Sequence, residues 1–88
     1  GAATLQIVAE PVPGGLARAR RLEAGRLPRP TPYAVPAGRA LAVSRTYRRV
    51  AETRVYWVPR AGVLVTVRVV GLPEREVRRV VHGLRVAA

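Results

Sequence analysis

Arg54-Val55-Tyr56-Trp57-Val58, Pro59-Arg60-Ala61-Gly62, Val63-Leu64-Val65-Thr66-Val67-Arg68-Val69-Val70 and Gly71-Leu72-Pro73-Glu74 follow one another without a break, and this run decides the fold. The first and third pieces alternate with period two, and β-branched residues dominate the third, as a pleated strand requires. Pro early and Gly late in the four residues between them read as a hairpin connection. Val63, Val65, Val67 and Val69 make one uniform apolar face. Leu64, Thr66, Arg68 and Val70 make a mixed face, expected to be solvated at its centre. At Gly71 the period changes. Pro73 suits a first helical turn, where its missing donor costs nothing. Glu74 and Glu76 complement the positive end of the helix dipole, and Arg78, Arg79 and His82 the negative end. Val77, Val80, Val81 and Leu84 recur at spacing three and four, so this helix, ending near Gly83, is predicted to pack on the valine face.

Working outward, Arg39 to Val50 is the longest strand candidate. Leu41, Val43, Arg45, Tyr47 and Arg49 fall on one face, and Ala40, Ala42, Ser44, Thr46, Arg48 and Val50 on the other. Neither face is cleanly apolar, which predicts a bend or bulge near Arg45, and Ala51-Glu52-Thr53 reads as the following turn. Leu27 to Pro36 carries four prolines and reads as an irregular, polyproline-like connector pinned by Tyr33 and Val35. Residues 16–24 admit two readings. A helix would align Leu16, Ala19 and Leu22 and stop at Gly25. A strand is slightly favoured, because Pro13-Gly14-Gly15 offers no capping side chain. Thr4 to Glu10 is a short strand with Leu5, Ile7 and Ala9 on one face. The predicted fold class is α+β: a small antiparallel sheet of about four or five strands with one C-terminal helix packed on one face.

At 88 residues the chain is one domain, 1–88, and the expectation includes its being the C-terminal domain of a longer protein. A domain of this size hides only about 60–65% of the surface its unfolded chain exposes. With no cysteine, disulfides and thiolate metal sites are excluded. No apolar stretch approaches the ~20 residues that span a bilayer. The formal charge is +11, from 16 basic and 5 acidic residues, and every basic residue is Arg. Arg without Lys, amid abundant Ala, Gly, Pro and Val, points to a GC-rich coding bias such as a thermophilic bacterium has. That bias explains the choice of Arg but not the scarcity of acids. The remaining positive field should draw phosphates, anionic lipid or an acidic protein.

Catalytic material is sparse: one Ser (Ser44), one His (His82), and no Asp or Cys. A nucleophile with its base and orienting group cannot be assembled, and Glu74 and Glu76, two apart on a helix, face different ways. No enzyme, metal site or cofactor is expected. The candidate partner-binding residues are Arg45, Arg48, Arg49 and Arg54 with Tyr47 and Tyr56. Arginines beside rings on a sheet face can hold phosphates while the rings stack on bases. The plainer reading is a solvated sheet face with Trp57 in the core. Arg18, Arg20 and Arg21 form a second basic cluster.

Val65-Thr66-Val67-Arg68-Val69-Val70-Gly71-Leu72-Pro73, with Arg78-Arg79-Val80-Val81 and Leu84, resembles the end of the small C-terminal domain of the MucB/RseB family of sigma-factor regulators and related lipoprotein-like bacterial domains. Tyr56-Trp57 before Gly62-Val63-Leu64 is similar to that domain's hairpin, and Val35-Pro36-Ala37-Gly38 to its lead-in to a strand. The Gly-to-Pro spacing is one residue shorter here, and Arg39 stands where an aromatic is usual. The resemblance implies an extracytoplasmic module, periplasmic or envelope-associated, that binds an anti-sigma factor. Two functions are therefore expected: a non-enzymatic protein-binding regulatory domain with an acidic partner, or a nucleic-acid-binding module using the arginine-rich sheet face. An accessory domain of an enzyme is a third.

Overall fold

A computed structural model describes residues 3–84. Five strands, β1 (Thr4–Pro11), β2 (Thr31–Tyr33), β3 (Arg39–Tyr47), β4 (Val50–Val58) and β5 (Val63–Val70), form one sheet in the order β1-β5-β4-β3-β2. Every neighbouring pair is antiparallel. Helix α1 (Leu16–Leu22) follows β1 and helix α2 (Glu74–Gly83) closes the chain. The α+β architecture with a C-terminal helix on the sheet is the one expected.

The valine face behaves as its pattern demands. Val65, Val67 and Val69 are buried with Val55, Trp57 and Ala40 beneath Val77 and Val81 of α2. Val77 and Val81 lie four apart, so both project from one side of the helix onto the sheet. Pro73 is the N-cap, in extended backbone, and supplies its carbonyl rather than a side chain. The Trp57 indole, buried in this cluster, donates its N–H to the Ala37 carbonyl at 2.6 Å, and His82 Nε2 lies 3.0 Å from the Ala34 carbonyl. The 34–38 connector is thereby tied to both the sheet and the helix.

Residues 16–24, for which a strand was favoured, contain α1. Gly14 and Gly15 both have positive φ, and their carbonyls accept from Ala17 and Arg18 at 3.0 and 3.1 Å, starting the helix without a capping side chain. What a cap would have supplied comes from burial instead. Leu16 and Ala19, one turn apart, pack on Leu41, Val43, Tyr56 and Leu64 on the sheet face opposite α2. Both faces of the sheet thus carry a core, which is why neither face of β3 reads as purely apolar.

Three further expectations are corrected. The β3–β4 register runs without a break from Arg39↔Val58 to Tyr47↔Val50, so β3 has no bulge at Arg45. The turn is Arg48-Arg49, not Ala51-Glu52-Thr53, which lie inside β4. The proline-rich connector contributes β2, pairing Thr31 to Tyr33 with Ala42 to Ala40. A proline at this edge removes no bond the sheet needs.

Candidate binding surface at the hairpin end of the sheet

Past Val43 the β3–β4 ribbon runs out from under both helices. Ser44, Thr46, Tyr47, Arg48, Arg49 and Val50 are all exposed. Arg48 and Arg49 turn the chain with φ of +49° and +66°. Two positive φ values in a two-residue hairpin are the signature of a type I′ turn, a position normally given to Asn-Gly because a Cβ is strained there. The Tyr47 ring is exposed, and the Arg48 guanidinium sits over it, 5.4 Å from the centroid. Neither Arg48 nor Arg49 has an ion-pair partner among the described residues.

The expected site residues divide into two groups. Tyr47, Arg48 and Arg49 are brought together at the tip and face solvent. Arg45, Arg54 and Tyr56 are held by the protein itself. Arg45 gives Nη1 to Glu23 at 2.8 Å, Nε to the Leu27 carbonyl at 3.1 Å and Nη2 to the Pro28 carbonyl at 3.0 Å. It is a clasp that fastens the end of α1 and the following loop to β3. Its partner Glu23 is buried and also faces Arg26 at 3.6 Å. Tyr56 is buried beneath α1 and offers no ring for stacking.

Arg54 and Arg68 face each other across β4 and β5 and share one carboxylate. Glu52 Oε1 accepts from Arg54 Nε at 2.6 Å and from Arg68 Nε at 3.0 Å. Partial burial pushes the Glu52 carboxyl up, but the hydrogen bonds and charges of Arg54 and Arg68 outweigh it and hold the pKa below the ordinary carboxylate range. Donation to Glu52 and then to Tyr56 raises the pKa of the Arg54 guanidinium above its ordinary value and keeps it charged.

Between the clasped loop and the hairpin tip lies an open groove of about 780 Å³, lined by Arg26, Leu27, Arg45, Tyr47, Arg48, Val50 and Arg68 among others. Arg26, Leu27 and Arg68 are not among the site residues expected from the sequence. They come from stretches far apart in the chain, and only the sheet register and the Arg45 clasp unite them. Leu27, 79% exposed, is an apolar side chain standing at the rim. Each of the five carboxylates in the chain is engaged by arginine: Glu10, Glu23, Glu52, Glu74 and Glu76. Among the described residues, Arg48 and Arg49 pair with none of these carboxylates. The described residues contain no cluster of three or more metal-ligating side chains and no helix long and apolar enough to cross a membrane.

Comparison with protein-family models, with curated proteins and with solved structures yields no match to this chain.

Proposed function

We propose that this chain is a non-enzymatic binding domain that docks an acidic protein partner on the β3–β4 hairpin tip and the adjoining groove. The observation that carries this reading is the Arg48-Arg49 turn. Two arginines occupy backbone positions that disfavour them, at the far end of the sheet, beside an exposed tyrosine and with no ion-pair partner among the described residues. Backbone strain of this kind, about 1–3 kcal/mol per residue, concentrates at functional sites. The groove adds apolar rim residues, Leu27 and Val50, of the kind that a protein surface covers. The resemblance of residues 55–84 to the MucB/RseB C-terminal domain supports an anti-sigma factor as the partner class and an extracytoplasmic setting.

Nucleic-acid binding is the second reading, favoured by the Arg48–Tyr47 pairing. It has one accessible ring rather than two, because Tyr56 is buried. Fluorescence anisotropy with an aromatic-containing acidic peptide, a single-stranded oligonucleotide and duplex DNA separates the two. The peptide is expected to bind at physiological salt and to lose at least about tenfold in affinity when Arg48→Glu and Arg49→Glu are combined, since rim charges steer and orient such partners. Duplex binding that dominates, with a log–log salt slope near −0.9 per phosphate neutralised, would replace the first reading by the second. Unchanged peptide affinity in the double variant would reject the hairpin tip as the site.

A further inference from the structure

The two edges of the sheet are built differently. β2 is three residues long and carries Pro32, with Pro30 just before it. Short length and proline are the devices that keep an edge from pairing with another chain. β1 has neither. It is eight residues long, its only proline is its last residue, and its register with β5 is unbroken from Thr4↔Val70 to Pro11↔Val63. No strand lies on its outer side among the described residues. Its apolar side chains are exposed on both faces: Leu5 by 50% and Ile7 by 44% on the α2 side, and Val8 by 42% on the other.

Charge identifies what fits this edge. In a chain of net charge +11, no arginine occurs before Arg18, and Glu10 is the single charged side chain up to that point. Glu10 is itself engaged by Arg18 at 3.8 Å. On the α2 side of this edge Leu5, Ile7 and Ala9 stand across from Val69, Val67 and Val65, which offer no charge to a partner, while Arg68 lies across from Gln6 on the other face, where Glu52 holds it. A neutral, apolar strand is the complement, and β1 is such a strand.

We infer that the outer edge of β1 is a self-association edge, on which β1 of a second copy pairs antiparallel to continue the sheet. A two-fold axis at Ile7 sets Ile7 opposite Ile7 and Leu5 opposite Ala9 on the α2 side, joining the exposed apolar residues of both copies into one strip. Because the residue period is two, this register keeps apolar side chains together on one face of the joined sheet. A single strand pair is small beside the ~1,200–2,000 Å² of a stable interface, so the dimer is a weak one. The charge of the two copies opposes it, and screening relieves that repulsion. Dimerisation therefore strengthens with salt, opposite to polyanion binding at the hairpin tip.

Sedimentation of the purified protein over about 10 μM to 1 mM, at low and at high salt, tests this, since the Debye length falls from ~30 Å at 0.01 M to ~3 Å at 1 M. A monomer–dimer equilibrium that tightens with salt is expected. Ile7→Lys, which places charge on the strip, should weaken it at least about tenfold, as edge lysines do. Arg48→Glu with Arg49→Glu should leave it no weaker. Amide hydrogen exchange on the unmodified protein needs no variant: β1 amides should gain protection as concentration rises. A monomer throughout the range would overturn the inference. So would a dimer indifferent to Ile7→Lys, or one formed without protection of β1.

Discussion

Arg48 and Arg49 hold the turn of the longest hairpin in a conformation where any Cβ is strained. Replacing them with Asn and Gly, the residues that this turn geometry favours, removes that strain. The double substitution Arg48→Asn, Arg49→Gly is expected to raise stability by about 1 kcal/mol, because the left-handed region costs an L residue roughly 1–2 kcal/mol. The same variant should lose binding of the acidic peptide. Urea denaturation and anisotropy on one sample check both halves. A gain in stability without loss of binding would detach the strain from the function. Arg45 shows the opposite economy. It was expected among the binding residues, and its three guanidinium nitrogens donate to Glu23, Leu27 and Pro28. An arginine in a basic stretch reads the same in sequence whether it faces a partner or its own fold. Burial of Glu23, twenty-two residues away, makes the difference.

At the scale of elements, the strand–strand–helix ending was legible because its periodicities are unambiguous and its partners are neighbours in sequence. The valine face, the 59–62 connection and the α2 stripe depend on contacts between consecutive elements. α1, β2 and the 48–49 turn were not legible in that way. Each is stabilised by something distant: α1 by Leu41, Val43, Tyr56 and Leu64, β2 by β3, and the turn by the register of β3 with β4. The join into β3 is equally dependent on a distant strand. Gly38 has φ of +75°, and a Cβ there would run into the Val58 carbonyl oxygen of β4. Gly38→Ala is expected to destabilise by well over about 1 kcal/mol, since positive φ and a backbone collision act together. Gly25→Ala, with positive φ but open space around the added methyl, should cost less. Thermal melts of the two variants make the comparison, and equal losses would show that the close approach at Gly38 carries no weight.

For the whole molecule, the charge balance sets the response to acid. Each carboxylate lies beside an arginine, so protonating them removes ion pairs while adding positive charge to a chain already at +11. Glu52 is the group whose pKa is lowered in the fold. Its contribution is therefore fully present above the ordinary glutamate value of about 4.5 and drains as pH falls through the lower folded value. The urea midpoint of the protein should hold from neutrality to about pH 4.5 and decline below it, while Glu52→Gln should start lower at neutrality and decline less steeply. Parallel acid limbs would mean that Glu52 is no more engaged by Arg54 and Arg68 in the fold than in the unfolded chain.

The amino-acid sequence alone determined the antiparallel sheet, the C-terminal helix across its valine face, the absence of cysteine and the large positive charge, because these follow from composition and from periodic patterns read within a few residues. Only the tertiary structure decided which arginines are available. Pairing across strands and burial of Glu23 turn Arg45, Arg54 and Arg68 inward to carboxylates and leave Arg48 and Arg49 at the tip. The unprotected edge at β1 was likewise decided by strand order, since an edge is a relation among strands and no stretch of sequence contains it.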